Sequence, residues 1–201
     1  MPKLLLGCGH KKWLPGNTSC EDLITLDNNP DCNPDILCNL NSFISYANHG
    51  WHIYTEVEKF PEILEEPTHL TYSGQYRRFK DSIFSEVHAY EVLEHLGRQG
   101  DAESFFATFD NIWRILLPNG YLFGTCPSRF GCWLWGDPGH ARAILPESLI
   151  YLDQTSYKQC GFTTFSDYRS VYHSDFKIVS SVDDKITHSF VLQAIKPARI
   201  V

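Results

Sequence analysis

The most restrictive stretch of this 201-residue chain lies at its start, where the apolar run Leu4–Leu6 stops at Gly7-Cys8-Gly9. A short strand ending on two glycines one residue apart turns tightly and brings bare backbone close to whatever lies beyond it. "DLITLD", Asp22–Asp27, reads as a second strand, closed by an acid about 20 residues after the first glycine. That order opens an open α/β sheet. Ligands of such sheets sit at the carboxyl ends of the strands, and an acid in this place accepts hydrogen bonds from ribose hydroxyls.

The rest of the chain continues the alternation. "PDILCNL", Pro34–Leu40, "SIFSEVHAY", Ser82–Tyr90, and "GYLFGTCP", Gly120–Pro127, read as three more strands. Between the last two, Asp101 is an expected N-cap with Glu103 in the first turn. Phe105, Phe109, Ile112 and Leu116 then recur at helical spacing, with Phe106, Trp113 and Leu117 widening the stripe. Pro118-Asn119-Gly120 is expected to stop that helix, and a second is expected from Pro146 to Gly161. "GFTTFSDYR", "DFKIVSSV" and "THSFVLQAIK" read as strands that finish the sheet, partly antiparallel. Residues 41–82 show no clean period beyond a short helix near Thr55–Leu64, and a connection of that length predicts a lid, binding loop or insert over the site.

One domain spanning 1–201 is expected from the length, and 43% hydrophobic with 20% charged residues fits a globular core. The formal charge of −7 argues against non-specific nucleic-acid binding, which asks for a basic face. Seven cysteines, with no Cys-x-x-Cys among them, predict free thiols in a reducing compartment and no metal site. No basic segment leads into an apolar one at the N-terminus, and no long uncharged run occurs. The expected location is cytoplasmic, without membrane insertion.

Three cofactors compete for the glycine turn. A P-loop would need Gly-Lys-Ser/Thr, which is missing, and a dinucleotide fingerprint would need a third glycine where Lys12 stands. S-adenosylmethionine (SAM) has no phosphate to cradle. It asks for close backbone approach at its amino-acid end and an acid for its ribose, which Gly7-Cys8-Gly9 and Asp27 supply.

Longer segments narrow the choice. "IFSEVHAYEVLEHL", Ile83–Leu96, followed by "IWRILLPNGYLFGTCPS", Ile112–Ser128, resembles the fourth-strand and fifth-strand signatures of class I SAM-dependent methyltransferases. "DNNPDCNPDILCNL" resembles their second and third strands, and "DPGHARAILPESLIYLDQTSYKQCGF" a later stretch of the same family. The resemblance covers most of the chain in order, leaving out residues 41–82. It implies a single-domain, Rossmann-like α/β fold: a mostly parallel seven-stranded sheet with helices on both faces. Gly7, Cys8 and Gly9 would line the methionine part of SAM, Asp27 would bind the ribose and Asn28 would sit beside it. Asn39 and Leu40 would border the adenine, and Ala89, Tyr90 and Glu91 would face the methionine moiety and methyl group. Asn39 departs from the Asp of many relatives, and Ser85 replaces a common Asp early in the fourth strand.

Methyl transfer from a sulfonium needs orientation and exclusion of water, and a base only where the acceptor must lose a proton. His140 is a candidate base or substrate contact, Arg142 a candidate substrate contact for a negative group, and Tyr90 and Glu91 further catalytic candidates. His95 and His88 read as structural, and "YRRFK", 76–80, as a solvated basic patch. Trp133, Trp135, Trp51 and Tyr54 are either an aromatic substrate wall or core. The reading favours transfer to an O or N nucleophile of a small molecule, sugar or peptide side chain. The alternative is a SAM-binding or scaffold protein of the same fold without transferase activity, and an exposed aromatic face in 41–82 could serve a homodimer.

Overall fold

A computed structural model describes residues 1–15, 21–43, 51–53, 60–65, 69–71 and 74–200. Its main sheet contains β1 (Lys3–Leu6), β2 (Leu23–Asp27), β3 (Ile36–Phe43), β4 (Trp51–Ile53), β7 (Phe84–Tyr90), β8 (Leu116–Pro127), β9 (Phe176–Asp183) and β10 (Thr187–Ala194). The spatial order is β4-β3-β2-β1-β7-β8-β10-β9; β5 (His69–Thr71) and β6 (Gly74–Tyr76) form a separate hairpin. Pairing is parallel from β3 through β2, β1 and β7 to β8, and antiparallel at both ends. Seven of the eight segments read as strands are present, and β4 adds a further strand at the β3 edge.

Alternation along the strands sorts the core. Leu4, Leu6, Val87, Ala89 and Leu122 share one face by register and are buried. Helix α1 (Ala102–Ile115) buries Phe106, Phe109, Ile112 and Ile115 in the same core. Its N-cap is Asp101, whose side chain accepts from the Ser104 N–H. The chain passes directly from α1 into β8 at Leu116. Residues 117–120 are then looped out, since Phe84 pairs with Leu116 while Glu86 pairs with Tyr121. Pro118-Asn119-Gly120 thus makes a bulge rather than a stop before the strand.

Three expectations change. The second helix breaks into α3 (Pro146–Leu149) and 3-10 turns at Ile150–Leu152 and Gln154–Gln159. Asp153 accepts from the Thr155 N–H, while the Gln154 N–H donates to Asp175, so side chains compete with helical bonding at this point. "GFTTFSDYR" is irregular rather than a strand; the strands begin at Phe176. Within 41–82, the described parts contribute to the sheet and the core. β4 extends the sheet, and Trp51, Ile53, Ile63, Leu64 and Phe79 are core residues. Residues 60–64 form a turn, and the rest of the expected Thr55–Leu64 helix lies outside the described residues, apart from that turn.

Helices also gather on one side. Helix α3 lies beside α1, with Ser148 and Tyr151 sharing a cavity of about 220 Å³ with Phe105 and Phe106. The opposite face carries Lys3, Leu5, Glu86, His88 and Tyr90, opposite in alternation to the core set. Among the described residues no helix lies in the β1–β2 connection, and the β2–β3 connection holds only a 3-10 turn at Pro30–Cys32. The eight residues 28–35 leave no length for more. A loop containing Trp13 and Pro15 lies beside Leu5 and Tyr90 instead.

Candidate functional site

The glycine turn has distinct demands at its two glycines. Gly7 has φ +59°, and a Cβ there would meet Val92 Cγ2 at 2.6 Å. Gly9 has φ +51° but open space around its absent side chain. Gly7 is therefore fixed by conformation and packing, and Gly9 by conformation alone. Cys8 between them is buried, and its thiol is pushed up to about 11 by burial and by Asp27, which suits packing rather than nucleophilic chemistry.

Asp27 stands at the end of β2 with 9% exposure. Its Oδ2 accepts from the Gly9 N–H at 2.8 Å and its Oδ1 from the Asn29 N–H at 2.9 Å. The carboxylate thus locks the turn and retains lone pairs for further donors. Asn28 is exposed beside it. Asn39 is exposed at the end of the parallel run, and its Oδ1 accepts from the Asn41 N–H at 2.9 Å. Leu40 and Ala89 point into the core, so they offer a ligand only backbone. Lys12 bonds the Asn33 carbonyl, tying the loop to the β2–β3 connection.

Gly7, Cys8, Tyr90 and Glu91 line a cleft of about 400 Å³ with Leu5, Lys11, Trp13 and Pro15. The volume lies in the range of about 300–1,000 Å³ common for small-molecule sites. Glu91 is exposed and holds φ +54°, a left-handed conformation rare outside glycine, with its N–H bonded to the Thr125 carbonyl at 2.9 Å.

Tyr90 belongs to a ladder on the helix-poor face. Lys3 pairs with Glu86 at 2.9 Å, Glu86 Oε2 lies 2.9 Å from His88 Nε2, and His88 Nδ1 lies 2.8 Å from the Tyr90 hydroxyl. The carboxylate at Nε2 fixes the proton there, so Nδ1 accepts from the Tyr90 hydroxyl. His88 stacks on Phe123 with centroids 4.9 Å apart. Burial holds the His88 pKa below the ordinary value despite Glu86, and burial with Glu86 pushes the Tyr90 phenol up to about 12. Partial burial works to raise the Glu86 pKa, but the bonds from Lys3 and His88 hold it below the usual range. The strand's two-residue period is the sequence signal for this ladder, which the reading of His88 as structural does not extend to Glu86 and Tyr90.

The loop after β8 folds back onto the turn after β7. The Ala141 and Arg142 N–H groups both donate to the Glu94 carbonyl, at 2.8 and 3.1 Å. His140 meets His95 edge to face with centroids 4.7 Å apart. Arg142 is 5% exposed, and its Nη2 donates to the Arg98 and Asp101 carbonyls and to Ser104 Oγ. It lines the 220 Å³ cavity and not the glycine cleft, so the structure does not bring it to the expected substrate position. Glu94, absent from the expected set, is fully buried and lies with His95 and His140. Its pKa is pushed up to about 7, chiefly by burial. An acid and a histidine adjacent in a turn beyond a sheet strand are the sequence signal for this group.

Two further expectations are corrected. Trp51 is core, while Trp133 and Trp135 are exposed on α2 (Trp133–Gly136) near exposed Phe130, so no single wall joins them; Tyr54 lies outside the described residues. In "YRRFK", Arg77 and Phe79 are buried and Arg78 pairs with Glu65 at 3.0 Å, which is not a solvated basic patch. Cys8, Cys32, Cys38, Cys126, Cys132 and Cys160 are free thiols, and Cys20 lies outside the described residues. No described helix is long and apolar enough to cross a membrane.

A solved structure shares this fold. The N-methyltransferase NodS from Bradyrhizobium japonicum WM9, in complex with S-adenosyl-L-homocysteine, superposes with a TM-score of 0.50 at 14% identity. The match covers 96% of this chain and 77% of NodS. The fold is that of the class I SAM-dependent methyltransferases. A SAM-dependent methyltransferase from Archaeoglobus fulgidus matches at 14% identity and TM-score 0.47, over 96% of this chain and 86% of that one. No family model and no curated protein matches the sequence.

Proposed function

We propose that this chain binds SAM and transfers its methyl group to an O or N nucleophile of a small molecule, sugar or peptide side chain. The supporting observation is one constellation. A 400 Å³ cleft at the ends of β1 and β7 is lined by Gly7, Cys8, Tyr90 and Glu91, and the Asp27 carboxylate closes the same glycine turn. The residues suit that cofactor. Gly9 leaves open space for close approach, Asp27 has lone pairs to spare for a ribose diol, and the cleft wall has acceptors for an ammonium group at Glu91 and Tyr90. Bound SAM supplies both the electrophilic methyl group and the leaving group.

The protein's part is to hold and to exclude. Asp27 fixes the turn before any ligand arrives, which lowers the ordering cost of binding. The Tyr90 hydroxyl donates its hydrogen bond to His88 Nδ1, which leaves the oxygen's lone pairs to accept. Trp13 and Pro15 wall the cleft on the loop side. The net charge of −7 supports a substrate other than nucleic acid.

Titration calorimetry with SAM and S-adenosyl-L-homocysteine tests the proposal. Saturable one-to-one binding, weakened at least about tenfold by Asp27→Asn, is the expected result. Absence of binding by wild-type protein with a cooperative thermal transition would overturn it.

A further inference from the structure

Beyond the glycine cleft, the turn after β7 holds a second group of chemically capable side chains. A ligand atom each from Glu94, His95 and His140 lies within 4.8 Å of the others. Glu94 is 0% exposed, and neither carboxylate oxygen has a hydrogen-bond partner. The Cys126 thiol and the residue's own N–H act on it electrostatically without making a bond of standard geometry. A buried carboxylate in that condition requires a cation or a proton.

The histidines are arranged to supply the rest of a coordination shell. His95 Nδ1 lies 2.9 Å from the Gly139 carbonyl, and His140 Nδ1 lies 3.3 Å from the Leu134 carbonyl. A carbonyl can only accept, so each Nδ1 carries the proton and each Nε2 keeps its lone pair. Metal-bound histidines are held this way, the outer nitrogen donating to a backbone oxygen while the inner one ligates. The carrier loop is itself secured, through the two N–H bonds from Ala141 and Arg142 to the Glu94 carbonyl. Gly139 helps, because a Cβ there would sit 3.4 Å from His95 Nδ1 and 3.1 Å from Asp137 Oδ1. The His140 side chain is 7% exposed, so two of the three ligand side chains are largely withdrawn from solvent.

We propose that Glu94, His95 and His140 bind a divalent transition-metal ion, of which Zn²⁺ is the type. Two imidazoles and one carboxylate match that ion better than Mg²⁺ or Ca²⁺, which favour all-oxygen shells. Three protein ligands leave a coordination position open for water or a substrate oxygen. Asp137, whose Oδ2 is 3.8 Å from His140 Nε2, stands outside the group as a neighbouring acid. The site is independent of the methyl-transfer proposal, sharing no residue with the glycine cleft.

The test uses the full chain stripped with EDTA and titrated with Zn²⁺ by calorimetry, then with Co²⁺ by visible absorption. One-to-one binding tighter than micromolar, with Co²⁺ bands lacking thiolate charge transfer, is expected. His140→Gln and Glu94→Gln should each weaken Zn²⁺ binding by more than the roughly 10–100-fold that loss of an outer-shell partner costs. Cys132→Ser, removing the exposed thiol, should change nothing. Each variant's thermal transition checks its fold, and His140→Gln, on a surface loop, carries the test if the buried Glu94 variant fails to fold. The proposal is overturned if folded wild-type protein binds no Zn²⁺ at micromolar concentration. Binding that survives His140→Gln, or that disappears with Cys132→Ser, overturns it equally.

Discussion

Asp27 and Glu94 are both buried acids, one at the end of a parallel strand and one in the turn after another, yet they sit in opposite electrostatic conditions. Asp27 has a backbone N–H on each oxygen, whereas Glu94 has no hydrogen-bond partner on either. The first acid is already stabilised and shapes a turn for a ligand that donates hydrogen bonds. The second stays costly until a positive charge or a proton reaches it. Burial alone does not say what an acid is for; the state of its lone pairs does. The two also touch indirectly, because Gly7 of one turn lies under Val92 of the other.

The sharpest way to break the comparison is at that contact. Gly7→Ala should cost about 3 kcal/mol in urea unfolding, combining a positive φ with a collision against Val92. Gly9→Ala, with the same sign of φ and open space, should cost only about 1 kcal/mol. Equal losses would show that Val92 yields and that the two turns are uncoupled. The same carboxylate-to-amide change should then act with opposite signs at the two acids. Asp27→Asn should destabilise by about 2 kcal/mol, since it strands a backbone donor and removes the charge from two bonds. Glu94→Gln should raise the stability of EDTA-treated protein at pH 8 by about 1 kcal/mol, read from the urea midpoint.

An effect no larger is expected at an acid outside both sites. Asp101→Ala should cost about 1 kcal/mol at neutral pH by removing the α1 cap. The bond from the Ser104 N–H holds the Asp101 carboxyl below the usual aspartate range. A depressed folded-state pKa gives stability that is complete above the unfolded value and lost as pH falls through the folded one. The gap between wild type and variant should therefore close on acidification, and a gap that widens would show another group controls the cap.

Much of the sheet was legible in the chain because its strands are short apolar runs with sharp ends. The first strand is legible in the apolar run Leu4–Leu6, and the 101 cap needs only local chemistry. The expected 146–161 helix breaks because Asp153 and Gln154 find partners at Thr155 and Asp175, and the Asp175 contact depends on tertiary placement. At the site, glycine spacing and Asp27 carry their own signal. Arg142 looked like an anion contact because its type was read without its burial, which only the folded turn at 97–104 reveals. Glu94 is silent in the sequence for the complementary reason: a glutamate in a turn is ordinarily solvated, and nothing local shows that Cys126 and the 137–142 loop close over it.

The crowding of described helices on one face has a consequence for motion. Strand β1 has the loop containing Trp13 and Pro15 beside it, whereas β8 lies between β7 and β10 with α1 directly against it. Amide hydrogens around the glycine turn should then exchange through small local openings, while those of β8 and β10 wait for the whole domain to unfold. A ligand can thus enter and leave at the loop-covered half while the other half stands still.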